Sequence, residues 1–118
     1  MKTVWIANKQ DVIDTLVGAG AETYEWYLQL DETHDGQIIC EMETGAYEPD
    51  KYGHGVAVPL SVEVTFTTSD AKAMVNEIIK EKKAGWQVVQ SAVDADDFDS
   101  DAVDVVLQHI VLGDLVFG

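Results

Sequence analysis

The run from Val56 to Phe66 limits the possible folds of this chain more than any other segment. Val56, Val58, Leu60, Val62, Val64 and Phe66 alternate without a break with Ala57, Pro59, Ser61, Glu63, Thr65 and Thr67. A period of two is that of a strand, and clean alternation means one buried and one wet face, the habit of antiparallel sheets. Pro59 lacks a ladder donor, so its half of the strand is expected on an edge or at a bulge.

Two further segments share the period. Tyr24, Trp26, Leu28 and Leu30 alternate with Glu25, Tyr27 and Gln29. After the turn Asp31–Gly36, Ile38, Cys40 and Met42 alternate with Gln37, Ile39, Glu41 and Glu43. An Asp-Gly turn between alternating runs predicts a hairpin. Elsewhere the period becomes helical. Asn8 is placed to cap a helix carrying Val12, Ile13, Leu16 and Val17, stopped by Gly18 and Gly20. Ser69 is placed to cap a second, with Ala71, Met74, Val75, Ile78 and Ile79 on one face, Lys80, Lys82 and Lys83 at its end and Gly85 beyond. A third starts near Asp99 or Ser100, buries Val103, Val106, Leu107, Ile110 and Val111, and ends at Gly113. The apolar tail Leu115–Phe117 is expected to tuck against the core. Short apolar runs at 3–7 and 86–93 read as strands. The expectation is one α+β domain over 1–118, in the order β-α-β-β-β-α-β-α. Two or three helices pack on one face of a mainly antiparallel sheet.

Composition supports a folded chain: 118 residues with 47% hydrophobic content are too apolar for disorder despite the charge. The charge is the outlying property. Twenty-two Asp and Glu oppose seven lysines and no arginine, giving −15. Arginine is the preferred bidentate grip on phosphate, and an acidic field repels polyanions, so nucleic acid and anionic membrane are excluded as partners. Halophilic adaptation is another route to such charge, but it supplies no reason to exclude arginine. A single cysteine gives no internal disulfide, the N-terminus has too short an apolar run for a signal peptide, and no stretch is long enough to span a bilayer. The expected location is cytoplasmic, in the producing or host cell.

Motifs for chemistry fail on inspection. His34, His54 and His109 lie in no ligand spacing, and Cys40 on an inward strand position reads as a structural hydrophobe. Gly18-Ala19-Gly20 follows a helix and does not fit a dinucleotide fingerprint. Setting Asp97, Asp99 and Asp101 at the first three ligand positions of a calcium loop puts Ala102 where glycine is needed and Gln108 where glutamate belongs. No metal, cofactor or catalytic group is therefore assigned. Glu25, Glu41, Glu43 and Glu63 fall on the polar half of their strands and are expected on one helix-free face. Paired carboxylates there would suit glycosidase-like acid–base work, but that chemistry wants a concave pocket with sugar-stacking aromatics. This face offers only Tyr27 and at most Trp5, so a small enzyme is the least favoured reading.

The charge is also unevenly placed. Residues 10–50 carry eleven carboxylates and no lysine, and residues 93–118 carry seven aspartates and no lysine. Asp94, Asp96, Asp97, Asp99 and Asp101 crowd one short run. The long segment 44–55 holds Tyr47 and Tyr52, residues typical of interface anchors. Partner-binding residues are therefore expected among these aspartates, the four glutamates and the two tyrosines. The partner expected is a basic protein, such as a nuclease or a CRISPR effector, whose cationic groove the chain fills as a DNA mimic. In size and charge, and in no motif, the chain resembles phage anti-restriction and anti-CRISPR proteins and small glycosylase inhibitors. An immunity protein or an acidic accessory subunit is the alternative; a homodimer through the apolar tail is a further expectation.

Overall fold

The alternating run does fold as a strand, β3 (Ala57–Phe66), in a computed structural model that describes residues 5–49 and 57–118. It pairs antiparallel with β2 (Ile38–Pro49), which pairs antiparallel with β1 (Tyr27–Glu32), so the sheet order is β1-β2-β3. β3 is thus an edge strand, where Pro59 forfeits no ladder bond on its open side. The β1–β2 turn is closed by Thr33, whose N–H donates to the Gln37 carbonyl at 2.9 Å and whose Oγ1 accepts from the Gln37 N–H at 3.0 Å.

Four helices complete an α+β domain: α1 (Lys9–Gly18), α2 (Thr68–Lys80), α3 (Trp86–Ala95) and α4 (Ser100–Leu112), with a 3-10 turn at Ala21–Thr23. Asn8 caps α1 as predicted, accepting from the Asp11 N–H at 2.8 Å. The cap of α2 is Thr67, two residues before Ser69, because Thr67 and Asp70 form a reciprocal capping box, with bonds of 3.0 and 3.1 Å. Asp99 caps α4, and Gly113 closes it at φ 79°. α4 lies on β2 and β3 and is backed by α2 and α3; α1 packs on β1 and α2. Being enclosed on both sides, α4 buries nearly its whole surface, which is why its sequence is apolar almost all round.

Three expectations require correction. The segment 86–93 is not a strand but most of α3: Val89, Ala92 and Val93 are buried at helical spacing, while Val88 faces solvent. Trp5–Asn8 form no strand; Trp5 N–H donates to the Asn76 side chain at 3.2 Å and its ring packs on Phe98 at 4.6 Å. Among the described residues the helices number four, and the order is α-β-β-β-α-α-α.

The sheet carries two irregularities. Between Tyr27 and Gln29 β1 takes two steps against one on β2, so Leu28 is the extra residue and stands exposed. One extra residue exchanges the faces, which turns Tyr27 inward opposite Met42. Between Glu43 and Tyr47 β2 takes four steps while β3 takes two, from Ser61 to Pro59. Gly45, at φ 84°, sits in this bulge, and a Cβ built there would lie 3.3 Å from Val116 Cγ1. The C-terminal tail is therefore packed against the bulge. Toward the hairpin tip β3 leaves the helices behind: Phe66 is buried and Val64 half-buried, but Val62, Leu60 and Val58 are 37%, 38% and 48% exposed.

Candidate partner-binding surfaces

Strand register settles the first acidic surface. Glu41 lies opposite both Gln29 and Glu63, and Glu43 lies opposite Ser61. Their neighbours Cys40 and Met42 point into the core, so these side chains project from the helix-free face. Tyr47, opposite Pro59, emerges on the same side two pair positions further along and is exposed. Glu41 and Glu63 form a directly opposed like-charge pair, an arrangement that destabilises a sheet. Ser61 Oγ donates to Glu41 Oε2 at 2.9 Å, which relieves part of the repulsion.

Glu25 does not join them. It precedes β1 in an exposed turn, displaced by the same bulge that turns Tyr27 inward. Tyr52 lies outside the described residues.

The second surface is the α3–α4 connection. Phe98 anchors it by packing on Trp5, while Asp94, Asp96, Asp97, Asp99 and Asp101 remain exposed. Asp96 closes α3 in the left-handed region at φ 53°, Asp99 is committed to the α4 cap through a 2.9 Å bond from the Ala102 N–H, and Asp101 accepts from the Tyr24 hydroxyl. That bond raises the Tyr24 pKa. Two open clefts flank the loop. One, of about 350 Å³, joins Asp96 to Asp11 and Asp14 of α1 above a floor of Trp5 and Phe98. The other, of about 460 Å³, runs between Val88 and Ala92 of α3 and Asp97, Asp99 and Asp101. Asp11 and Asp14 were not predicted to belong here, because more than eighty residues separate them from Asp96. The two acidic surfaces do not merge: one is the free side of the sheet, the other belongs to the helical layer.

Three of the described lysines are engaged away from these surfaces. Lys83 pairs with Glu77 at 4.0 Å and Glu81 at 3.7 Å, Lys82 lies 5.5 Å from the Trp86 ring centre, and Lys72 donates to the Ala7 carbonyl at 2.7 Å. Among the described residues no group of three or more His, Cys, Asp or Glu is placed to hold a metal ion. No helix among them is long and apolar enough to cross a membrane.

A buried polar node that sequence reasoning missed ties the two layers together. Asp104 of α4 accepts from Trp26 Nε1 at 2.9 Å, the Tyr27 hydroxyl at 2.7 Å and Gln108 Nε2 at 2.9 Å. Fully buried Gln108 also donates to the Phe117 carbonyl at 3.0 Å and accepts from the Val116 and Phe117 N–H groups, both at 2.8 Å. Tyr24, Trp26 and Phe117 stack over it with ring centres 5.0 and 4.9 Å apart. Burial, then the Asp104 bond, drives the Tyr27 pKa upward, and burial pushes the Cys40 thiol up to about 12. Every acceptor here is occupied by a donor from the chain itself, so the node is structural. The available signal was Asp104 and Gln108 four apart within the apolar run from Val103 to Val111. His109, also buried, has Nε2 2.8 Å from the Ala84 carbonyl.

Comparison with known proteins finds no matching family model, no similar curated protein and no similar solved structure.

Proposed function

We propose that this chain is an acidic binding protein that docks on a positively charged surface of a nucleic-acid-processing partner, occupying ground a phosphate backbone would otherwise take. The observation that carries the reading is the opposed pair Glu41 and Glu63, with Glu43 beside it, on a face with no described lysine. Opposed like charges cost stability, and a sheet surface meant only for solubility has no need of them. A partner's cations would remove that cost on binding. Same-face residues recur every ~6.8 Å along a strand and ~4.8 Å across, which arrays the carboxylates in rows as phosphates are arrayed on a duplex. Tyr47 on the same face supplies an anchor of the kind that dominates interface energetics.

The test is capture of the partner at low and high salt, followed by competition between duplex DNA and this chain for the purified partner. The reading expects binding that weakens steeply with salt and is mutually exclusive with DNA. Binding indifferent to salt would overturn it. Salt-sensitive binding that leaves the partner's DNA site open would replace mimicry with immunity-type or accessory-subunit recognition. Two variant sets locate the surface: Glu41→Gln, Glu43→Gln and Glu63→Gln together, and Asp94→Asn, Asp96→Asn, Asp97→Asn and Asp99→Asn together. The second set keeps the fold, since asparagine both caps helices and tolerates the left-handed region at position 96.

A further inference from the structure

We propose that the outer edge of β3 is a docking strand for a basic partner segment in which apolar and cationic residues alternate. The inference rests on the acidic-docking reading and names the partner chemistry that one part of that surface fits. β3 ends the sheet, and among the described residues no strand pairs with its outer side. Proteins usually blunt such an edge with a short strand, a charge, a proline or a covering element. Here the strand is ten residues long, and Pro59 removes a donor at one end only. From Leu60 to Thr65 the edge keeps its backbone groups.

The two faces beside this edge differ in chemistry. A strand added to β3 sends alternate side chains to opposite sides of the sheet. On the helix side they would extend the row of Val58, Leu60 and Val62, which the core leaves more than a third exposed. Val116, packed at the bulge beside Gly45, is likewise 47% exposed. On the free side they would stand next to Glu63, itself opposite Glu41. Alternation of apolar and cationic residues satisfies both faces. A uniformly basic segment fails on the first, an apolar or acidic one on the second. A second copy of this chain would bring −15 against −15 and set its own glutamates beside these.

The experiment titrates the full chain with a nine-residue peptide of alternating lysine and valine and with a peptide of the same composition in which the alternation is broken. Affinity is read by calorimetry, and the site by amide hydrogen exchange. The expected results are at least about tenfold tighter binding of the alternating peptide and new protection of the β3 amides. Leu60→Lys should weaken that binding by about tenfold or more, and Leu60→Ser should weaken it without a charge change. Circular dichroism confirms that both variants keep the fold, as half-exposed positions allow. Equal binding of the two peptides, no binding of either, or protection confined to the α3–α4 loop would each overturn the edge assignment. So would a self-associated chain that Leu60→Lys dissolves. Salt dependence of partner capture reads the acidic surfaces as a whole, so the wider reading and the edge assignment fail separately.

Discussion

Replacing Asp104 by alanine is the sharpest test of what joins the sheet to the helical layer. The carboxylate receives three bonds, from Trp26, Tyr27 and Gln108. Removing it orphans the buried Tyr27 hydroxyl outright and half-orphans the Trp26 N–H, which lies near the surface; Gln108 Nε2 keeps the Phe117 carbonyl. Each buried donor left without a partner costs about 1–3 kcal/mol, and loss of an acceptor that is charged lies at the upper end. The sum is about 3–5 kcal/mol, a large share of the roughly 6–18 kcal/mol available to a chain of this size. The melting temperature should fall by roughly 10–20 °C. Asp104→Asn sharpens the test. Its carbonyl can still serve Trp26 and Tyr27, but its amide meets the Gln108 amide, whose own oxygen is already held by Val116 and Phe117. It should cost about half as much as alanine. Urea unfolding followed by both tryptophan fluorescence and circular dichroism measures the difference. An alanine variant within about 1 kcal/mol of the parent, or an asparagine variant as damaged as alanine, would refute the account of the node.

Alkaline pH supplies a second test. Native Cys40 holds its proton to about pH 12 and the Tyr27 pKa is raised by burial, while the unfolded chain releases both protons earlier. The unfolded state therefore binds fewer protons, and stability is full below about pH 9 and falls as pH rises, by up to roughly 1.4 kcal/mol per unit for each group. Urea titrations across that range check it, with Cys40→Ala expected to flatten the first part of the decline. Gly85→Ala and Gly113→Ala form a matched pair. Both glycines have φ near 80°, but a Cβ at 85 would lie 2.8 Å from Val105 Cγ1, while one at 113 meets nothing within 4 Å. The first should cost about 1–3 kcal/mol more than the second, and equal thermal shifts would show that Val105 moves aside freely.

Segments whose pattern is long and regular were legible in the sequence. β3, the hairpin, α1, α2 and α4 follow from periodicity; Asn8 occupies the cap position assigned to it and α4 starts where expected, at Ser100, whereas the cap of α2 is Thr67 and not Ser69. α3 was misread because Trp86, Val88, Val89 and Val93 favour strands intrinsically, and eight residues are too few to separate the periods. Packing on α4 outweighs that preference. The acidic surfaces were legible in composition but not in grouping: Glu41, Glu43 and Glu63 were placed correctly by alternation, whereas Glu25 was lost to a bulge that no residue type announces. The gathering of Asp11 and Asp14 with Asp96 depends on how Trp5 meets Phe98, a contact made only by the tertiary fold.

The bulge at Thr44–Ala46 has a consequence best put as arithmetic modulo two. It adds an even number of residues to β2, so inside stays inside along the strand, and Tyr47 emerges on the side of Glu41 and Glu43. An odd insertion, like the one at Leu28, would have changed the sign of every position beyond it. Deleting Ala46 alone should therefore exchange the two sides of β2 beyond the bulge against an unchanged β3, turning Tyr47 toward the Val58–Leu60 row and Glu48 toward the glutamates without any substitution.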